Sequence, residues 1–575
     1  MSRKLIDKSR RRLAAESGCR PNPWGGRLSV ALVYPNTYHQ AMSNLGFLSV
    51  YHLLNCRDDT LCERFFLPDP EDLAEHEKTG YPLFSLESGR FLADFDVIAF
   101  SVSFENDYLN LPTIFALGRI PLFAAERSDH FPLVLCGGVC AFLNPEPMAG
   151  IMDVFAVGEG EVLLPPFVAE VRAGEALARP ELLRRLAALP GFYVPSLYAV
   201  DYRSDGTVER YRPADGTPPR VTRQWLPDLD RYESRNFVLT EETEFGDMAL
   251  AEISRGCSRG CRFCAAGYIY LPPRERSLEK LTSQVEESLC HRQKVGLVGA
   301  AVSDYSSIEV LQQEILARGG RVSVASLRID SLTEAEVSAL KASGHRTVAL
   351  APEAGSQRLR DLINKGLDEA QILAAVRRLA VGGIPNLKLY FLIGLPTETD
   401  EDTAELLGLA AKIREVWLEE GRKIGRLGHI TLSVNPFIPK PFTPLQWAPM
   451  DGEKTLEKKM RAIRAGVARL ANTEVIFEPL RAAVLQAFLA RGDRRVGRLL
   501  PALAAGSSLK AACREAGLDP AFYVTRERGE AEVFPWEILD NGVRRDYLWQ
   551  EYQRGLEGKF TPRCAPGCRR CGVCG

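Results

Sequence analysis

The chain has 575 residues, room for about three domains, since one hydrophobic core rarely grows beyond ~250–300 residues. Apolar content of 46% and charged content of 25% are ordinary globular values, and a net charge of −2 leaves no global positive field to attract nucleic acid. No apolar run of 18 or more residues marks a membrane span, and Met1-Ser-Arg-Lys-Leu5 lacks the apolar core of a secretory signal, so a cytoplasmic location is expected. In such a chain fourteen cysteines point to metal or redox work rather than disulfides, and seven of them fall into two tight groups.

From the N-terminus, Leu28-Ser-Val-Ala-Leu-Val-Tyr34 reads as a buried strand ending at Pro35-Asn36, followed by a helix over about 43–54. Further strands are expected at 62–67, 96–103, 132–137 and 153–157. Continuous apolar strands alternating with helices predict a Rossmann-like parallel α/β sheet over residues 20–195. Ligands of such sheets bind outside the carboxyl ends of the strands. Those ends carry Ser101 and Ser103, then Gly137 and Gly138, then Gly158-Glu-Gly160, small residues that let a ligand approach the backbone. Residues 196–247 read as a linker and cover segment: the pattern is irregular, and Pro213–Pro227 is rich in Pro, Thr and Arg. The basic runs Arg10–Arg12 and Arg491–Arg498 read as solvated surface.

A second α/β unit is expected over 248–450. Strands are predicted at 249–254, 294–301, 321–327, 346–352, 386–394 and 428–435, with helices between them, making a partial six-unit TIM-type barrel. Thr333 and Glu336 have the spacing of a capping box. The first strand runs into Cys257-Ser-Arg-Gly-Cys261-Arg-Phe-Cys264, at the end of the barrel where active-site residues gather. Structural zinc usually takes four ligands, and a four-iron cluster normally takes four thiolates. Three thiolates on one loop leave one iron free for a small molecule. Other strand ends carry Ser303 with Asp304, Arg328 with Asp330, Glu353, and Gly394, while Lys388 lies on the fifth strand. The four prolines of Asn435–Trp447 forbid regular structure, and that loop is expected to lie across the barrel mouth. Residues 451–560 read as helical. The tail, 561–575, holds Cys564, Cys568, Cys571 and Cys574, which can take zinc or a 4Fe-4S cluster.

The cysteine loop, with Phe263 before its last cysteine, resembles the radical S-adenosylmethionine (SAM) superfamily, whose signature is CxxxCxΦC with Φ aromatic. The resemblance implies that Cys257, Cys261 and Cys264 hold a 4Fe-4S cluster whose open iron is chelated by SAM. It further implies reductive cleavage to a 5′-deoxyadenosyl radical, with an electron donor such as flavodoxin or ferredoxin. Phe263, Ser303, Arg328, Glu353, Lys388 and Gly394 become candidate SAM contacts. The family's usual Gly-Gly-Glu is replaced here by Gly299-Ala-Ala-Val-Ser-Asp304.

The N-terminal part is similar to the cobalamin-binding domain found upstream of many radical SAM cores. The stretches concerned are Tyr34-Pro35 with Met42–Gly46, Ser101–Asn106, Gly137-Gly138 with Asn144–Pro147, and Gly158–Glu161. That makes Ser101, Ser103, Gly137, Gly138 and Gly158 candidate cobalamin contacts. His39 lacks the Asp and Gly of the D-x-H-x-x-G pattern, so bound cobalamin would lack a histidine below its cobalt. The proline-rich segment resembles one shared with methylthiotransferase relatives. Arg491–Arg495 and Pro535-Trp536 resemble the C-terminal part of a radical SAM family with a fused cobalamin-like domain. The expectation is therefore a radical SAM enzyme performing cobalamin-dependent methyl transfer to an unactivated carbon, its substrate unnamed by the sequence. Two alternatives stay open. One is a cobalamin-free enzyme acting on RNA or a ribosomal protein with the help of a tail cluster. The other is a metal-binding module whose cysteines are structural.

Overall fold

The structure, a computed structural model, describes residues 2–324 and 327–574. The first sheet has six strands: β1 Leu28–Tyr34, β2 Thr60–Phe66, β3 Val97–Ser101, β4 Leu133–Gly137, β5 Val154–Ala156 and β6 Phe192–Tyr193. Their order is β2-β1-β3-β4-β5-β6; the first five are parallel and β6 is antiparallel. Every residue of β1 is buried because both faces of the sheet are covered. Leu28, Val30 and Leu32 pack with Phe47, Tyr51, Leu163 and Phe167 in one core, while Ala31 and Val33 join Leu111, Ile114 and Phe115 in another. The chain goes one way from β1 to β2 and the other way to β3, so the strand order reverses between β1 and β3, the place where such folds take ligands.

Among the described residues the second unit holds two parallel sheets. β7 Met248–Glu252, β8 Lys294–Val298 and β9 Arg321–Val324 form the first. β10 Thr347–Glu353, β11 Asn386–Ile393, β12 His429–Pro436 and β13 Thr473–Phe477 form the second. The Leu327 N–H donates to Ala349 across the gap at 3.4 Å, and among the described residues the strands do not close into a barrel. Residues 325 and 326 of the third expected strand lie outside the described residues. Alternate residues of β11 are buried, and register puts Lys388 beside Ala349 and Thr431. Thr333 and Glu336 do form the capping box at the start of the helix Glu334–Ala342.

Four expectations need correction. Residues 451–560 are not purely helical: Thr473–Phe477 extends β12's sheet, its alternating exposure that of an edge strand with one solvated face. The segment 196–247 is less irregular than its composition suggests, since Tyr198–Tyr202 and Val208–Pro213 form an antiparallel hairpin. The run Arg491–Arg498 is solvated surface only at Arg498. Arg491 is fully buried and donates to the Ala448 carbonyl at 2.6 Å; Arg494 pairs at 2.8 Å with Glu146, itself fully buried under the first sheet. In the run at Arg10–Arg12, Arg10 and Arg11 are exposed, but Arg12 pairs with Asp69 at 2.9 Å.

The proline-rich loop packs inward. Trp447 is fully buried against Phe534, Trp549 and Tyr552. Lys440 Nζ reaches Glu105 of the first unit at 2.5 Å, and the Leu445 N–H donates to Arg262 of the cysteine loop at 3.3 Å. Among the described residues no helix is long and apolar enough to cross a membrane.

Candidate active site

The cysteine loop leaves β7 through the short strand Ser254–Arg255 and turns on two glycines. Gly256 has φ +82°, and a Cβ there would stand 2.6 Å from the Tyr270 carbonyl oxygen; Gly260 has φ +69°. Cys257, Cys261 and Cys264 are half-buried and free of disulfides, and Phe263 packs on the main core. Burial and the adjoining Cys261 and Cys257 thiols push Cys264 up to about 12, and burial also raises Cys257. At Cys257 and Cys264 burial favours the neutral thiol, and a bound cation would remove the proton. Among the described residues no three His, Cys, Asp or Glu side chains are gathered as around a single metal ion.

The three cysteines alternate with three arginines, and each arginine ties the loop to a different part of the chain. Arg255 pairs with Glu159 at 2.9 Å and Glu161 at 2.5 Å, both from the first unit, and with Glu252 of β7 at 2.8 Å. Arg259 binds Asp304 through Nε at 2.7 Å and also binds Asp330; these acids follow β8 and β9. Arg262, fully buried, reaches Glu551 at 3.2 Å, the Lys559 carbonyl at 2.7 Å and the Asp361 carbonyl at 3.0 Å. Sequence reasoning passed over all three arginines. Their alternation with the cysteines was visible, but their partners were not.

Each remaining candidate has a definite place. Ser303 follows β8, its hydroxyl buried without a hydrogen-bond partner among the described residues. Arg328 is held by Asp330 at 3.0 Å. Glu353 ends β10 at φ +66°, a strained conformation for a residue with a Cβ, and pairs with Lys365 at 3.1 Å. Gly394 has φ +80°, and its N–H and that of Leu395 both donate to the Glu398 carboxylate, so neither donor is free for a ligand. Lys388 Nζ sits 5.1 Å from the centre of the Tyr390 ring, on β11 well before its carboxyl end.

Between the first sheet and the cysteine loop lies a cavity of about 460 Å³, within the range of small-molecule sites. Asn44, Ser101, Ser103, Gly138 and Gly158 line one side, and Ser254, Gly256, Gly299 and Ala300 the other. Asn44 donates to Ser103 at 3.2 Å, and the Ser49 hydroxyl, in a residue of the same lining, has no partner among the described residues. No histidine is among the lining residues, and His39 is not there. Two of the glycines have another reason to be glycine. A Cβ at Gly138 would meet the Val102 carbonyl oxygen at 2.5 Å, and one at Gly158 would meet the Gln224 carbonyl oxygen at 1.9 Å. At these two positions the backbone itself, not a ligand, excludes a side chain. Gly137 has open space where a Cβ would stand and is not in the lining.

The tail docks on the cysteine loop. The Cys564 N–H donates to the Ser258 carbonyl at 2.7 Å, and Arg563 pairs with Asp330 at 2.7 Å. Asn364 donates to both Gly260 and Thr561, at 3.2 and 3.1 Å, and accepts from the Thr561 N–H at 2.9 Å.

A parallel α/β unit feeding a three-cysteine loop, continued edge to edge by a second parallel sheet, is the kind of architecture the sequence resemblance implies. The chain belongs to the radical SAM superfamily: residues 251–410 match the family described as "Radical SAM superfamily", and residues 46–195 match "Radical SAM proteins, N-terminal". An uncharacterized protein of Methanocaldococcus jannaschii is 31% identical over 474 residues, 82% of this chain and 90% of that one. The ribosomal protein uS12 methylthiotransferase RimO of Thermotoga petrophila is 26% identical over 200 residues, 32% of this chain and 45% of that protein. Among solved structures, the radical SAM methyltransferase TsrM of Kitasatospora setae, with cobalamin and a 4Fe-4S cluster bound, is 16% identical with a TM-score of 0.47, over 73% of this chain and 77% of that one.

Proposed function

We propose that the chain cleaves SAM reductively at a 4Fe-4S cluster held by Cys257, Cys261 and Cys264, and uses a corrinoid in the neighbouring cavity for methyl transfer to an unactivated carbon. One observation carries this reading: a single cavity is walled by the strand ends of the first sheet and by the β7 and β8 ends beside the cysteine loop. A ligand held by the first unit would therefore lie against the loop. When bound, the cluster supplies one electron to the sulfonium of SAM, which releases the 5′-deoxyadenosyl radical.

The chain's own residues position and shield. Ser303 offers an unpaired hydroxyl, and Glu353 a carboxylate oriented by Lys365. Arg328 offers a guanidinium for the SAM carboxylate. Phe263 and the docked proline-rich loop keep water from the loop's inner side. Lys388 and Gly394 support SAM less directly, the one by its place on β11 and the other by shaping its turn. Ser101 and Ser103 would face the corrinoid and could donate to its side chains.

The test is anaerobic purification after growth with cobalamin, with cobalt measured per chain and deoxyadenosine measured after reduction with SAM. Retention of about one cobalt and production of deoxyadenosine support both halves. Persistent absence of cobalt overturns the corrinoid half alone. Undiminished deoxyadenosine formation by the Cys257→Ala variant overturns the first half.

A further inference from the structure

The tail is built rather than loose. Arg570 holds its entry by donating to the Pro562 and Arg563 carbonyls at 2.7 and 2.9 Å. Arg544 holds its exit: the Arg544 N–H donates to the Cys571 carbonyl at 2.8 Å and its guanidinium to the Arg570 carbonyl at 2.9 Å. Two turns with positive φ, Gly567 at +81° and Gly572 at +94°, fold the chain between these clamps, and a Cβ at Gly572 would lie 2.8 Å from the Arg544 side chain. All four cysteines, Cys564, Cys568, Cys571 and Cys574, lie on this clamped and turned segment of eleven residues. Cys571 is buried and Cys574 exposed, so the group faces the protein on one side and solvent on the other.

The spacing matches that of the first loop. Cys564, Cys568 and Cys571 are separated by three and then two residues, as are Cys257, Cys261 and Cys264, and two further residues on stands a fourth, Cys574. A chain that can place three thiolates on three irons with that spacing, and then adds a fourth, closes the position that the first loop leaves open. Arg570 Nε donates to Cys568 Sγ at 3.3 Å, the kind of hydrogen bond to a thiolate sulfur that tunes a cluster.

We infer that Cys564, Cys568, Cys571 and Cys574 hold a second, fully protein-ligated 4Fe-4S cluster, docked on the SAM-binding loop through the Cys564–Ser258 hydrogen bond. With no open iron it takes no SAM. Its position also makes the tail part of the wall around the first site, since Arg563 shares Asp330 with Arg259. This assignment stands whether or not SAM is cleaved at the first loop.

The experiment compares three full-length proteins, purified without oxygen and reconstituted with iron and sulfide: the wild type, Cys568→Ala/Cys571→Ala, and Cys257→Ala/Cys261→Ala/Cys264→Ala. Iron, sulfide and zinc are quantified, and the reduced samples are examined by electron paramagnetic resonance with and without SAM. The expected result is about eight irons in the wild type and about four in each variant. The spectrum of the first-loop variant should be indifferent to SAM, and that of the tail variant should shift with it. About four irons and one zinc in the wild type, with the zinc lost from the tail variant, would overturn the assignment. So would a first-loop variant that holds no iron; its tail is intact, so misfolding of the tail variant cannot decide the matter.

Discussion

Arg262 shows how much of this site depends on single side chains. It is fully buried, and its charge is balanced by Glu551, also buried. Removing one partner of a buried pair costs up to about 3–5 kcal/mol, less where the other keeps a second partner, as Glu551 keeps Arg554 at 3.4 Å. Arg262→Ala also deprives the Asp361, Leu362 and Lys559 carbonyls of their donor and should unfold at markedly lower denaturant concentration than Arg11→Ala, a change at an exposed arginine; chemical denaturation of both variants checks this. Asp107 offers a pH test. Burial, with Glu105 nearby, pushes its carboxyl up to about 6 from the usual 3.8, although Asn36 donates to it at 2.8 Å. The folded state then holds this proton more tightly than the unfolded state. The associated stability is complete below pH 3.8 and lost as pH rises to about 6, on the order of 3 kcal/mol. Asp107→Asn, which keeps an acceptor for Asn36, should gain stability over wild type at pH 7.5 and lose that advantage near pH 4. Equal melting shifts at both pH values would contradict it.

Among elements, the proline-rich loop connects the most. Its Gln446 accepts from Trp536 at 2.9 Å, and Trp447 fills the space between that loop and the helix Arg545–Leu556. Trp447→Ala would leave a cavity there and cost about 3–5 kcal/mol, measurable by denaturant unfolding. Elements were legible where their signal was local. β1 is a continuous apolar run, the Thr333–Glu336 box is three residues wide, and the cysteine spacing is self-contained. They were illegible where the cause was distant. The strand Thr473–Phe477 sits between helical segments and exists because β12 offers it an edge. Arg491 and Arg494 read as surface because nothing near them in sequence names Ala448 or Glu146. Gly158 suggested ligand contact when its demand comes from Gln224, more than sixty residues on.

At the scale of the whole molecule, parts distant in sequence are stitched together by short pairings. Val221–Thr222 runs parallel to Leu539–Asp540, and Ser17–Gly18 pairs with Val238–Leu239. Asn144 donates to the Ala490 and Gly492 carbonyls at 3.0 and 2.8 Å. A chain ending after Glu557 loses Lys559, Thr561 and Arg563 as partners of the cysteine loop and its acids. Amide hydrogen exchange should then rise at residues 256–264 and 361–364 while β1 and β3 stay protected, because local opening follows the loss of local contacts. Unchanged protection over 256–264 would show that the tail does not hold the loop.

Arg262 also sets a clock. Its partner Glu551 lies 289 residues further along the chain, and Thr561 lies 299. At about 5–20 residues per second, the ribosome needs roughly 15–60 s to make that intervening stretch. Throughout that interval the nascent cysteine loop has no carboxylate for its arginine and one side bare, with only the Asp361 and Leu362 carbonyls to accept from it. The closed form of the site is thus a late product of synthesis, and iron delivered to the growing chain would meet three thiols that their last covering segment has not yet reached.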